Sequence, residues 1–178
     1  MHNWAVDNIN YVKLLPKLKT EVTTRLIDVL EDEVDEKYYL SDEKTKKLTL
    51  DNDLGGKLSG DRQPKIAVRE ATKQGYAIAE QGDSVNVTYP DSKTRRGRVG
   101  KQVAQTLQAG EVNQGVVMND IRIRKLVPIE TWRLQGFTDE QFYKAKESGV
   151  SNSQLYKQSG NAITISVADA IIKKITEG

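Results

Sequence analysis

The chain has 178 residues, is 37% apolar and carries 27 bases against 25 acids. It contains no cysteine and one histidine, His2, which excludes disulfides, thiolate metal sites, a cysteine nucleophile and any histidine-based acid–base pair or metal cluster. The small net charge hides a polarity: residues 28–53 hold ten acids and four bases, whereas residues 57–108 hold ten bases and five acids, and a basic block inside a nearly neutral chain points to nucleic acid.

The N-terminal residues MHNWAVDNIN lack the basic-then-apolar pattern of a signal peptide. No apolar run reaches the ~18–20 residues of a membrane span. A cytoplasmic protein without membrane contact is expected. From Leu15 through Leu18, Val22, Leu26, Val29 and Leu30 the apolar spacing of three or four predicts a helix, with Pro16 near its start. The acid-rich stretch that follows to Asp53 reads as a solvated helix end or connector. From Ile66 the grammar changes to short apolar or alternating segments, KIAVRE, YAIAE, SVNVTYP and GVVMN, separated by Gly, Asn and Asp. These predict short strands of an irregular, loop-rich β domain.

Within that domain, Lys93, Arg95, Arg96, Arg98 and Lys101 place five positive side chains in nine residues, among Gly97 and Gly100. Such a loop can follow a phosphate backbone, and its arginines can read guanine in the major groove, as Gln102, Gln105 and Gln108 can read adenine. The competing expectation is that these cations are solvated or pair with the acidic 28–53 block.

After Arg122 helical signals return. Pro128 stands at a first helical position with Gly136 past the end. Thr138 with Gln141 forms a capping box for a helix ending at Gly149, and Ser151 with Gln154 repeats it. A last helix is predicted from about Asn161 to Thr176, with apolar residues Ile163, Ile165, Val167, Ala168, Ala170, Ile171, Ile172 and Ile175 around most of its girth. It calls for burial on two sides, more than this chain is expected to supply. The fold class expected is α+β, a small irregular β-rich domain at 56–120 between an N-terminal helical, acidic segment at 1–55 and C-terminal helices at 121–178.

Two C-terminal segments carry a resemblance. The run Arg124-Lys125-Leu126-Val127-Pro128-Ile129-Glu130-Thr131-Trp132-Arg133-Leu134-Gln135-Gly136-Phe137 resembles motif IX of the C5 cytosine DNA methyltransferases. The run Gln154-Leu155-Tyr156-Lys157-Gln158-Ser159-Gly160-Asn161-Ala162-Ile163 resembles their motif X. The resemblance is strong over 122–178 and looser over 66–118, which it identifies as a target-recognition domain with Thr106-Leu107 as its Thr-Leu dipeptide. It implies a part in methyl transfer from S-adenosylmethionine to cytosine C5, with double-stranded DNA as partner. It also implies that motif X closes the cofactor pocket through Gly160, Asn161 and Ala162. There Gly160 allows close approach of the backbone, while Asn161 and Ala162 present helix N-terminal N–H groups to the cofactor's carboxylate; Asn161 can equally be only an N-cap.

Two departures stand out. Val127 replaces the usual capping hydroxyl of motif IX, a loss of about 1 kcal/mol. The family's nucleophilic cysteine, its N-terminal cofactor loop and its acidic partner are missing, so no residue here is a catalytic candidate. Methyl transfer should then need a separate catalytic subunit or domain, as in a split enzyme. The alternatives are a non-catalytic, sequence-specific DNA-binding remnant or decoy of phage or prophage origin, or a domain cut from a longer enzyme. In motif IX, Leu126, Ile129, Trp132 and Phe137 are expected in the core, and Arg122, Arg124 and Arg133 are expected to tie the recognition domain to its neighbours.

Overall fold

The computed structural model describes residues 24–50, 65–110 and 112–177. The helix expected from Leu15 lies outside the described residues as far as position 23. Within them its apolar spacing ends in a 3-10 turn, Leu26–Val29, that buries Leu26 and Val29. The acidic stretch forms a second 3-10 turn, Glu36–Tyr38, and a short helix α1, Asp42–Leu48, capped by Ser41. Its acids, Asp42 and Glu43, lie in the first turn and Lys46 and Lys47 in the last, the arrangement the helix dipole favours.

Strands β1 (Lys65–Arg69) and β2 (Tyr76–Glu80) pair antiparallel as a hairpin, with Ile66 opposite Ala79 and Val68 opposite Ala77. A second antiparallel sheet has the order β4-β3-β5-β6, built from β3 (Ser84–Asn86), β4 (Val99–Gly100), β5 (Gln114–Val117) and β6 (Ile123–Lys125). Leu48, Ile66, Val68, Ala79, Val85, Val117 and Ile123 pack into one core between these elements. The segments expected at 65–70 and 76–80 are strands. The one expected over 84–90 stops at Asn86, whose side-chain oxygen turns the chain by accepting from Thr88 N at 3.1 Å and Thr88 Oγ1 at 2.6 Å. Strand β4 lies inside the basic segment read as a loop, and β6 lies where helical grammar was expected to begin.

Helices α2 (Pro128–Leu134), α3 (Asp139–Glu147), α4 (Asn152–Asn161) and α5 (Ile165–Thr176) follow. Pro128 occupies the first position of α2. The Thr138–Gln141 box is closed in both directions, at 2.9 and 3.3 Å. Val127, Ile129, Trp132, Phe142 and Leu155 form a second core. Trp132 lies 5.0 Å from Phe137 and 5.6 Å from Phe142 between ring centres, and its indole N–H donates to Leu155 O at 2.9 Å. A third cluster of Leu26, Val29, Val116 and Leu126 joins the N-terminal turn to the sheet and α2.

One expectation is overturned. The last helix does not start at Asn161, which instead ends α4; the chain breaks at 162–164 and resumes as α5. Ile163, Thr164 and Ile165 are three successive β-branched residues, poor at continuing a helix. Gln135 supplies the competing bonds: its side-chain oxygen accepts from Thr164 Oγ1 at 2.7 Å and its carbonyl accepts from Ile165 N at 2.9 Å.

Candidate functional site

The basic segment of 92–110 runs over a floor of buried polar residues. Asp83, almost fully buried, accepts from Lys101 Nζ at 2.7 Å, Gln102 N at 3.0 Å and Gln102 Nε2 at 3.2 Å. Gln102 sits at φ 57° and also donates to Gln81 O. Gln105 donates to the carbonyls of Gly97 and Arg98 at 3.0 and 2.9 Å, while its backbone exchanges two bonds with the Gln114 side chain at 2.8 and 2.9 Å. Asn113 donates to Thr106 O at 3.0 Å. These bonds set the path of Thr106, Leu107 and Gln108 and leave the Thr106 and Gln108 side chains exposed.

Arg98 departs most from its sequence-based role. Its residue is 0% exposed, and its guanidinium donates to the carbonyls of Asn86 at 3.1 Å, Thr88 at 3.1 Å and Tyr89 at 2.8 Å. Burial first, and the neighbouring Arg95 second, pull its pKa below the ordinary value. Arg98 holds the protein's own backbone and is not presented to a DNA phosphate. Gln102 and Gln105 likewise use their amides internally. Lys93, Arg96 and Lys101 are exposed and Arg95 is half-exposed; Arg96 Nε donates to Ala71 O at 2.9 Å. Among the described residues, acids of the 28–53 block reach across the fold to Arg122, from Glu36, and to Arg133, from Glu31.

Motif IX works as a junction. Glu130 is fully buried and receives four donors: Arg124 NH1 and NH2 at 2.9 and 2.7 Å, Val127 N at 2.8 Å and Glu31 N at 2.8 Å. It thereby fastens β6, the start of α2 and the N-terminal segment to one carboxylate. Val127 has no side-chain acceptor, so only the Glu130 half of a capping box exists. Arg133 bonds Asp139 with two nitrogens, at 2.7 and 2.6 Å; these bonds raise the arginine's pKa and hold the Asp139 carboxyl below its ordinary value. The Tyr156 hydroxyl of motif X donates to Leu126 O at 2.9 Å, and burial raises its pKa.

Motif X is held from two sides. Gln135 Nε2 donates to Ser159 O at 2.9 Å, and Ser159 Oγ donates to Thr131 Oγ1 at 2.9 Å. Gly160 faces the end of the basic segment: a Cβ placed there would lie 2.5 Å from Gln108 O and 2.6 Å from Ala109 N. The close approach expected of Gly160 is therefore to its own chain. Ala162 N donates to Ser159 O at 3.3 Å, and Asn161 stands at the C-terminal, negative end of α4. The helix N-terminal cradle for a carboxylate, and the N-cap role of Asn161, are both corrected by this geometry. The exposed side-chain amide of Asn161 remains able to bond a ligand. No residue of α5 is buried, and Ile163, Ile172 and Ile175 are 68%, 57% and 67% exposed. Among the described residues no group of His, Cys, Asp or Glu could hold a metal ion, and no helix is long and apolar enough to cross a membrane.

Sequence alone missed the organising roles of Asp83, Asn86, Asn113 and Gln114. Their only trace in the sequence is polar residues set beside or within strands whose neighbours are apolar.

Comparison with known proteins agrees with the motifs. The family described as C-5 cytosine-specific DNA methylase matches residues 5–177. An orphan methyltransferase of Bacillus phage SPbeta is 35% identical over 203 residues, covering 89% of this chain and 43% of that protein. One of Bacillus phage rho11s is 59% identical over 54 residues, 30% of this chain and 11% of its own length. A type II methyltransferase of Shigella sonnei is 30% identical over 170 residues, 96% of this chain and 36% of its own. The chain thus spans less than half the length of these relatives. With motif IX at the junction of sheet and helices and motif X folded back upon it, the chain belongs to the C-5 cytosine-specific DNA methylase family.

Proposed function

We propose that this chain is the target-recognition and C-terminal part of a DNA (cytosine-5) methyltransferase, inert in methyl transfer until a chain or domain carrying the nucleophilic cysteine joins it. The absence of any cysteine from the sequence carries the second half of this reading. The exposed cations Lys93, Arg96 and Lys101 and the half-exposed Arg95 hold DNA phosphates, and Thr106, Leu107 and Gln108 face the bases. Arg98, Gln102 and Gln105 shape that surface from beneath.

The cofactor is S-adenosylmethionine, which supplies the activated methyl group when bound. On this chain Asn161 is the residue fitted to hold it. Its amide can both donate and accept, and the negative helix end beside it suits the cofactor's cationic groups better than its carboxylate. Gly160 and Ala162 contribute by shaping the turn. The remaining wall of the pocket belongs to the catalytic part, which docks on the exposed isoleucines of α5. That the chain covers less than half of its relatives supports this assignment, because the larger share of those proteins has no counterpart here.

The test is selection of a random-core duplex library by the purified chain, followed by assay of the same preparation with labelled S-adenosylmethionine. Retention of a defined sequence without methyl transfer is expected. Retention of no sequence, or methyl transfer by the chain alone, contradicts the reading.

A further inference from the structure

Among the described residues Tyr89 is the most exposed of the large hydrophobic side chains, at 74%, and it lies in a conformation its chemistry resists. Its φ is 48°, in the left-handed region that a bulky side chain rarely occupies. It also precedes Pro90, and the residue before a proline is ordinarily extended. The surrounding structure imposes this state. Arg98, fully buried, bonds the carbonyls of Asn86, Thr88 and Tyr89; Asn86 accepts from Thr88; and Ser92 N donates to Tyr89 O at 2.9 Å to close the turn. An exposed ring adds little to folding, so this arrangement does not serve the core. Strain that a buried network enforces on an outward-facing side chain is characteristic of a binding element.

The surroundings define the ligand. Tyr89 lines an open groove of about 500 Å³ together with Thr88, Pro90, Gln108, Gly110 and Lys125. Gln108 is exposed and belongs to the segment that faces bases under the proposed reading, on which this inference rests. The Arg95 guanidinium lies 5.9 Å from the Tyr89 ring centre, which places positive charge beside an aromatic surface. In a duplex the base faces are already stacked, so an outward ring meets base edges. An apolar ring, an amide and flanking cations together match the major-groove edge of a base, such as a thymine methyl, next to its phosphates. We propose that Tyr89 is a specificity-determining residue that packs its ring against the edge of a base in the target site, with Arg98 as the positioning residue that holds it out.

The experiment compares the wild-type chain with Y89A and Y89F on the duplex enriched from the random-core library and on an unenriched duplex of equal length. Y89A should bind the enriched duplex about tenfold or more weakly, the scale of losing recognition at one base pair of a duplex site. Its binding to the unenriched duplex and its dependence on salt should stay unchanged, and Y89F should retain wild-type discrimination. Thermal unfolding of both variants should match wild type, because the ring is exposed. Equal binding of the enriched duplex by Y89A and wild type, or an equal loss on both duplexes, overturns the inference while leaving the broader reading in place. Failure of the wild-type chain to enrich any sequence overturns both.

Discussion

At the scale of single residues, charge separates from function in the basic segment. Lys93 and Arg96 stand in solvent, whereas Arg98 between the same glycines is enclosed. Local sequence does not distinguish them. Arg98 is buried because three backbone carbonyls of the 86–89 turn converge on one point, and that convergence arises only when β3 and β4 pair. Replacing Arg98 by Met keeps most of the volume but takes the guanidinium's donors from those carbonyls, of which Tyr89 O keeps Ser92 N, so a loss of about 1–3 kcal/mol is expected in urea unfolding. Lys93→Ala should fall within about 0.5 kcal/mol of wild type. The order reverses in DNA binding. The double variant Lys93→Ala, Arg96→Ala should make the slope of log affinity against log salt shallower by nearly 2, one phosphate for each cation removed. An unchanged slope would remove these two residues from the interface.

At the scale of elements, the Thr138–Gln141 box, the Ser151 cap (without the return bond from Gln154) and the strands at 65–69 and 76–80 were legible because they depend on local chemistry. Thr138 and Gln141 lie three residues apart and satisfy each other. The break between α4 and α5 was not legible, because its cause is Gln135, more than twenty residues upstream in motif IX. The apolar stripe continues straight through the break, and periodicity alone reads it as one helix. The contact of Gly160 with Gln108 and Ala109 was hidden for the same reason: a glycine shows that something comes close, not what. Gly160→Ala forces a Cβ against that backbone, and an overpacking cost of about 1–3 kcal/mol is expected. It should also shift Gln108 and weaken binding of the enriched duplex more than of random DNA; stability and binding both at wild-type level would contradict the contact. Helix α5 gives the opposite case. Ile172→Asp and Ile175→Asp should leave the unfolding of the isolated chain within about 0.5 kcal/mol of wild type, because both residues are exposed. Both should abolish co-elution with a cysteine-bearing catalytic part of the family. Retained co-elution would place that partner elsewhere.

At the scale of the whole molecule, the described residues form an α+β unit whose sheet and helices are joined through Glu130 and the third apolar cluster. Its basic segment and the exposed face of α5 are left facing outward. The α+β class and the motif pair could be read from sequence because apolar period and motif spacing carry them. The proposed recognition surface could be read only as a segment, because which side chains leave that segment is decided by Asp83, Gln114 and other polar residues packed beneath it. The measurement that bears most directly on the whole account is methyl transfer from labelled S-adenosylmethionine to mixed-sequence DNA. It compares this chain alone, a cysteine-bearing catalytic part alone, and the two together. Transfer only in the mixture, at the sequence this chain enriches by itself, is the predicted result. Transfer by this chain alone, or none in the mixture, would contradict it.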